Sequence, residues 1–122
     1  MSEDTVVFIE DSMHVQKVYQ RFCENEGING VFYEQPPALE ILMQYRTIIT
    51  DLEMPGKTGL EVVNELRGGG WNGRIALVSS LAEEVHHFGG FNAYLNKPFT
   101  FDQLRGVLEQ LFEITPTEIE LR

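Results

Sequence analysis

The sequence predicts an α/β fold, a doubly wound parallel sheet of five strands with helices on both faces. Three observations carry that expectation. Short apolar runs recur along the chain, segments with helical spacing of apolar residues separate them, and the runs are continuous rather than alternating, as strands buried on both faces should be. Strands and helices in strict alternation imply parallel neighbours joined by right-handed crossovers. The 122 residues suffice for one domain whose single core buries roughly two thirds of its unfolded surface. No internal repeat or low-complexity segment competes with this reading.

Taken in order, Thr5-Val6-Val7-Phe8-Ile9 is the first strand, ending on Glu10-Asp11. From Met13 to Glu26, Val15, Val18, Tyr19 and Phe22 fall at helical spacing, and Gly27 suits a stop. Val31-Phe32-Tyr33 reads as a short second strand. Pro36 and Pro37 suit a first helical turn, with Ala38, Leu42 and Tyr45 on one face of a second helix. Thr47 to Thr50 forms the third strand and carries Asp51 at its end. Pro55 and Gly56 then break the chain. Thr58 and Glu61 make a capping box for a third helix with a stripe of Leu60, Val63 and Leu66, and Gly68-Gly69-Gly70 ends it. Arg74 to Ser79 is the fourth strand. Ser80 and Glu83 make another capping box, with Leu81, Val85 and Phe88 on one face, but Gly89-Gly90 limits this fourth helix to about two turns. Phe91 to Leu95 is the fifth strand. Thr100 and Gln103 cap the last helix, whose stripe is Phe101, Leu104, Val107, Leu108, Leu111 and Phe112. The expected domain covers residues 1–113, with 114–122 a tail or the start of a linker.

Composition narrows the function. With 43% hydrophobic and 23% charged residues the chain is ordinary globular, and no apolar run approaches the roughly 18 residues of a membrane span. Met1-Ser2-Glu3-Asp4 lacks the basic and apolar signature of a secretory signal, so a cytoplasmic location is expected. The lone Cys23 sits in a helical pattern and reads as a small core hydrophobe. A net charge of −10 repels phosphate backbones and argues against direct nucleic-acid binding. A metal ion, a polycation or a basic protein face is a better-matched partner.

The polar residues of interest converge, because in a parallel sheet the ends of strands one, three, four and five lie at one edge, where ligands bind in open α/β folds. Those ends carry Glu10 and Asp11, Asp51, Ser79 and Lys97. Carboxylates brought together repel one another and raise each other's pKa unless a positive group sits between them. A hard divalent cation such as Mg²⁺ meets that need with one or two carboxylates while keeping waters for a phosphoryl oxygen. An ammonium from Lys97 adds a second positive contact, and the Ser79 hydroxyl can hydrogen-bond an added oxygen. A carboxylate nucleophile, a neutralising metal and donors for the equatorial oxygens are what phosphoryl transfer to an aspartate requires.

Four segments then carry a family resemblance: Ile9-Glu10-Asp11, Thr50-Asp51-Leu52-Glu53-Met54-Pro55-Gly56 with Gly59, Val78-Ser79-Ser80, and Tyr94-Leu95-Asn96-Lys97-Pro98-Phe99. From Val6 to Phe112 the chain resembles a response-regulator receiver (CheY-like) domain of two-component signalling. The resemblance implies a flavodoxin-like sheet of order 2-1-3-4-5 with Asp51 as phosphoacceptor. It also implies Mg²⁺ held by Glu10, Asp11, Asp51 and the backbone carbonyl of Glu53, with Asp11 the more direct ligand. Ser79 becomes the switch hydroxyl, Tyr94 the switch aromatic and Lys97 the phosphoryl contact, with a cis Lys97-Pro98 bond. The implied partners are a histidine kinase or phosphotransfer protein and a linked output domain or protein target. Homodimerisation stays open.

The sequence departs from the family in two respects. Ser79 and Lys97 are 97 − 79 = 18 positions apart, fewer than receivers usually spend, and the loss falls on the fourth helix. The surface through which receivers commonly signal should therefore be altered. Glu10 in place of Asp lengthens one pocket carboxylate by a methylene. Glu53 and Leu81 sit where the family tunes phosphoryl lifetime. Other residues read as structural. His86 and His87 are adjacent and face different sides of a helix, so they cannot chelate one metal, and His14 reads as solvated or packed. Trp71, beside glycines and Asn72, reads as an exposed-loop aromatic that either serves a partner or, the favoured role, covers the sheet edge. The functional expectation is a phosphoacceptor signalling domain rather than an enzyme, beyond catalysing its own phosphorylation and dephosphorylation. A phosphorylation-independent interaction module with a vestigial pocket is the alternative. A phosphohydrolase is disfavoured by the lack of a second aspartate two residues after Asp51.

Overall fold

The computed structural model describes residues 5–80 and 89–113. Its elements are β1 (Thr5–Ile9), α1 (Met13–Glu26), β2 (Asn29–Tyr33), α2 (Leu39–Leu42), β3 (Thr47–Asp51), α3 (Gly59–Gly68), β4 (Arg74–Ser79), β5 (Ala93–Asn96) and α4 (Phe101–Phe112). All pairings are parallel and the strand order is β2-β1-β3-β4-β5, as expected. The short fourth helix expected before β5, with Leu81, Glu83, His86 and His87, lies outside the described residues, as does the tail after Glu113. Among the described residues no helix is long and apolar enough to cross a membrane.

Strand periodicity explains why helices cover both faces. Successive side chains point to opposite sides, so Val6 and Phe8 of β1 join one layer while Val7 and Ile9 join the other. The first layer is closed by Tyr19, Phe22 and Cys23 of α1 and by Leu104, Val107, Leu108 and Leu111 of α4. The second is closed by Leu42 of α2 and by Val62, Val63 and Leu66 of α3. Cys23 is buried, and burial, with Glu24 adding to it, pushes its thiol up to about 11, so it behaves as the core residue expected. Helix ends follow their caps. Ser12 accepts from the Val15 N–H at the start of α1, and Gly27 ends it at φ 70°. Thr58/Glu61 and Thr100/Gln103 form the two capping boxes expected for α3 and α4.

Several expectations need correction: Leu60 is only partly buried and Val62 takes its place on α3, Phe112 at the end of α4 is exposed, and β2 begins at Asn29 rather than Val31. The second helix is a single turn that begins after Pro36 and Pro37; Ala38 at its N-cap has no side-chain oxygen to satisfy the first N–H groups, and Thr47 already starts β3. In α1 the buried face holds Gln16 with Tyr19, Phe22 and Cys23, while Val15 and Val18 are only partly buried. β5 begins at Ala93 rather than Phe91, because the Asn92 side-chain oxygen accepts from the Ile75 N–H and ends the strand pairing there. Trp71 is buried, and its indole N–H donates to the Tyr45 carbonyl at 2.7 Å, so the sheet-covering role holds and the partner-facing one does not. Arg67 lies over that ring, 4.9 Å from its centre, and donates to the carbonyls of Trp71, Gly73 and Gly90 and to the Asn92 side chain.

Candidate functional site

Register places the site. Ile9 pairs with Thr50, Asp51 with Val78, and Ser79 with Asn96, so the residues that follow or end these strands stand side by side along one edge of the sheet. A cleft of about 470 Å³ opens there, lined by Glu10, Asp11, Asp51, Glu53, Ser79 and Lys97 together with Ser12, Met54, Pro55 and Ser80. One carboxylate oxygen each from Glu10, Asp11 and Asp51 lie within 4.8 Å of one another. Lys97 Nζ donates to Glu10 Oε1 at 2.7 Å and pairs with Asp51 Oδ1 at 3.2 Å. Tyr94 is not among the lining residues; it is partly buried and packs edge-on against Phe91, with ring centres 5.7 Å apart.

Each acid is held differently. Glu10 is 1% exposed, and all its polar groups are engaged: its N–H donates to Tyr33 O, its carbonyl accepts from Gln16, Oε2 accepts from the Ser12 N–H and Oε1 accepts from Lys97. Asp51 Oδ1 accepts from the Leu52 N–H at 2.9 Å and faces Lys97. Asp11 is exposed. The Lys97–Pro98 peptide bond is cis, and the next residue, Phe99, stacks on buried Tyr19 with ring centres 5.7 Å apart. The loop bearing the ammonium is thereby fastened to the core.

The electrostatics favour more positive charge than Lys97 supplies. Burial raises the Glu10 carboxyl above its ordinary value; Lys97 and the Ser12 N–H oppose the rise, and Asp51 adds to it. Burial likewise raises Asp51 against the pull of Lys97 and the Leu52 N–H, with Asp11 adding to the rise. Burial depresses the Lys97 ammonium, but Glu10 and Asp51 outweigh it and hold the group above its ordinary value. Three oxygen-donor carboxylates at this spacing, two of them poorly neutralised, fit a hard divalent cation.

Residues 6–109 match the family model of the response regulator receiver domain. The chain belongs to that family. The receiver is 28% identical over 116 residues to the probable C4-dicarboxylate response regulator DctR of Priestia megaterium, covering 87% of this chain and 50% of that protein. It is also 28% identical over 118 residues to two-component response regulator 24 of Arabidopsis thaliana, covering 90% of this chain and 85% of that one. The receiver thus spans about half the length of the first relative and most of the second. Solved structures share the fold. The crystal structure of FixJ-N is similar at TM-score 0.76, 21% identity, and 94% and 98% coverage. TrrA of Thermotoga maritima, solved in complex with Mg²⁺ and BeF, is similar at TM-score 0.74, 23% identity, and 88% and 98% coverage.

Sequence reasoning missed Ser12, Gln16, Met54 and Pro55. Three of them line the cleft, and Gln16 bonds to the backbone beneath it. Gln16 had a readable signal, since it lies at helical spacing from Tyr19 and Cys23 and is therefore a polar residue on a buried face. The others lie on loops whose course no periodicity reveals.

Proposed function

We propose that this receiver accepts a phosphoryl group on Asp51 and uses the resulting charge to bias a signalling surface. The observation that carries the reading is the gathering of three carboxylates and one ammonium in a single cleft at the strand ends. Family membership supports it, as does the Mg²⁺ and BeF complex of TrrA. Glu10, Asp11, Asp51 and the backbone carbonyl of Glu53 would hold Mg²⁺, which when bound neutralises charge on the phosphoryl oxygens. Asp51 Oδ1 is occupied by Leu52 and Lys97, so Oδ2 is the attacking oxygen. It forms the new O–P bond as the donor's bond to phosphorus breaks, and the leaving group takes a proton from solvent. Lys97 turns from Glu10 toward the added dianion, and the Ser79 hydroxyl donates to it. Tyr94, on the same strand as the Lys97 loop, reports the change by its packing. The ligands shift a balance between two arrangements rather than create one.

The donor is a histidine kinase or phosphotransfer protein of the cytoplasm, and the output is a linked domain or a separate protein target. Incubation with Mg²⁺ and acetyl phosphate tests the chemistry. Intact-mass measurement should show one added phosphoryl group, lost in Asp51→Asn and on chelation of the metal. No adduct at any donor or metal concentration overturns the proposal.

A further inference from the structure

Gln16 is the one amide buried on the inward face of α1, 7% exposed among Tyr19, Phe22 and Cys23. Its Nε2 donates to the backbone carbonyl of Glu10 at 2.8 Å, from six positions along the chain. Burying a polar side chain costs free energy unless it is hydrogen-bonded, so this contact has a specific local consequence. The Glu10 carbonyl is the first atom group of the peptide that leads into Asp11. Fixing it toward α1 fixes the plane of that peptide and hence the direction in which Asp11 departs. The Ser12 N–H on Glu10 Oε2 and the Gln16 N–H on Ser12 O, at 3.0 and 2.9 Å, close the same loop from its other end. Asp11 itself is exposed and makes no hydrogen bond among the described residues that would aim it. Its approach to Glu10 and Asp51 is therefore set by its backbone.

We infer that Gln16 is a positioning residue for divalent-cation binding, acting through the Glu10–Asp11 peptide and touching neither metal nor phosphoryl group. The inference rests on the proposed metal site. In metal sites, partners that orient the ligands typically contribute about 10- to 100-fold in affinity. Without the Gln16 donor the Glu10 carbonyl is left unsatisfied at the base of the cleft, and the peptide is free to rotate, which uncouples Asp11 from the other two acids.

The test is Mn²⁺ binding, by electron paramagnetic resonance of the free ion, to the wild-type protein and to Gln16→Met. This substitution keeps the length and removes the donor. The expected result is a Kd raised about tenfold or more, with the phosphorylation rate by acetyl phosphate recovering at saturating Mg²⁺. A change confined to the metal concentration required, with the maximal rate retained, is not what a loosened fold produces. Gln16→Asn, which keeps the amide but shortens its reach by a methylene, should give the same loss and carries the test if the methionine variant does not fold. Mn²⁺ affinity within about twofold of wild type in the folded variants overturns the inference and leaves the proposed function standing. Wild-type protein that binds no Mn²⁺ overturns both.

Discussion

Gly59→Ala tests whether the backbone under Asp51, the proposed phosphoacceptor, has room to move. A methyl placed on Gly59 would lie 2.5 Å from the Asp51 carbonyl oxygen and 3.1 Å from Leu77 Cδ1, about 0.9 Å short of the 3.4 Å at which ordinary contact begins. Gly59 cannot easily retreat, because its N–H donates to the Leu52 carbonyl at 2.7 Å and its own helix is packed by Val62, Val63 and Leu66. The burden falls on the Asp51 peptide. Overpacking of this kind costs about 1–3 kcal/mol, and a Tm falls roughly 4 °C per kcal/mol in a domain of this size. Misplacing a reacting group by about 1 Å costs on the order of 100-fold in rate. The assay pairs thermal unfolding with the phosphorylation rate at saturating Mg²⁺, using Gly106→Ala as control. Gly106 lies exposed inside α4 with nothing within 4 Å of an added methyl, so this variant should gain about 0.5–1 kcal/mol and keep its rate. A Gly59→Ala protein with wild-type Tm and rate would refute the reasoning.

Two further outcomes follow from the geometry. Burial raises the Asp51 carboxyl, so the folded protein binds this proton more readily than the unfolded chain does. The associated stability is fully present below the ordinary aspartate value of 3.8 and is lost as pH rises through the raised folded value. Metal-free Asp51→Asn should therefore unfold a few degrees higher than wild type at neutral pH, a gap that closes on acidification; equal melting temperatures at both pH values would contradict this. Trp71→Phe removes the donor to the buried Tyr45 carbonyl, at about 1–3 kcal/mol, and weakens the Arg67 stacking, so Tm should drop by roughly 8 °C. A drop of a degree or less would show that the indole N–H is dispensable.

The legible parts of the molecule were those in which one residue type meets one local rule. β1 and β4 read correctly to their end residues because continuous apolar runs stop on polar side chains, and the capping boxes at Thr58 and Thr100 announced their helices. Convergence of Glu10, Asp11, Asp51 and Lys97 followed from parallel topology alone. What escaped depended on contacts between distant segments. Asn92 shortens β5 by spending its side chain on the Ile75 N–H, and Trp71 is drawn inward by a carbonyl 26 positions earlier. No window of sequence contains both partners.

The ammonium of Lys97 reaches a carboxylate 87 positions upstream. Nothing local can bring those two groups together, and pairings over such spans form late because the loop between them must close first. With β1 and β3 paired but β5 not yet joined to the sheet, the acids stand side by side without Lys97 to face them. The electrostatic arrangement of the cleft is therefore complete only once the final strand has joined the sheet.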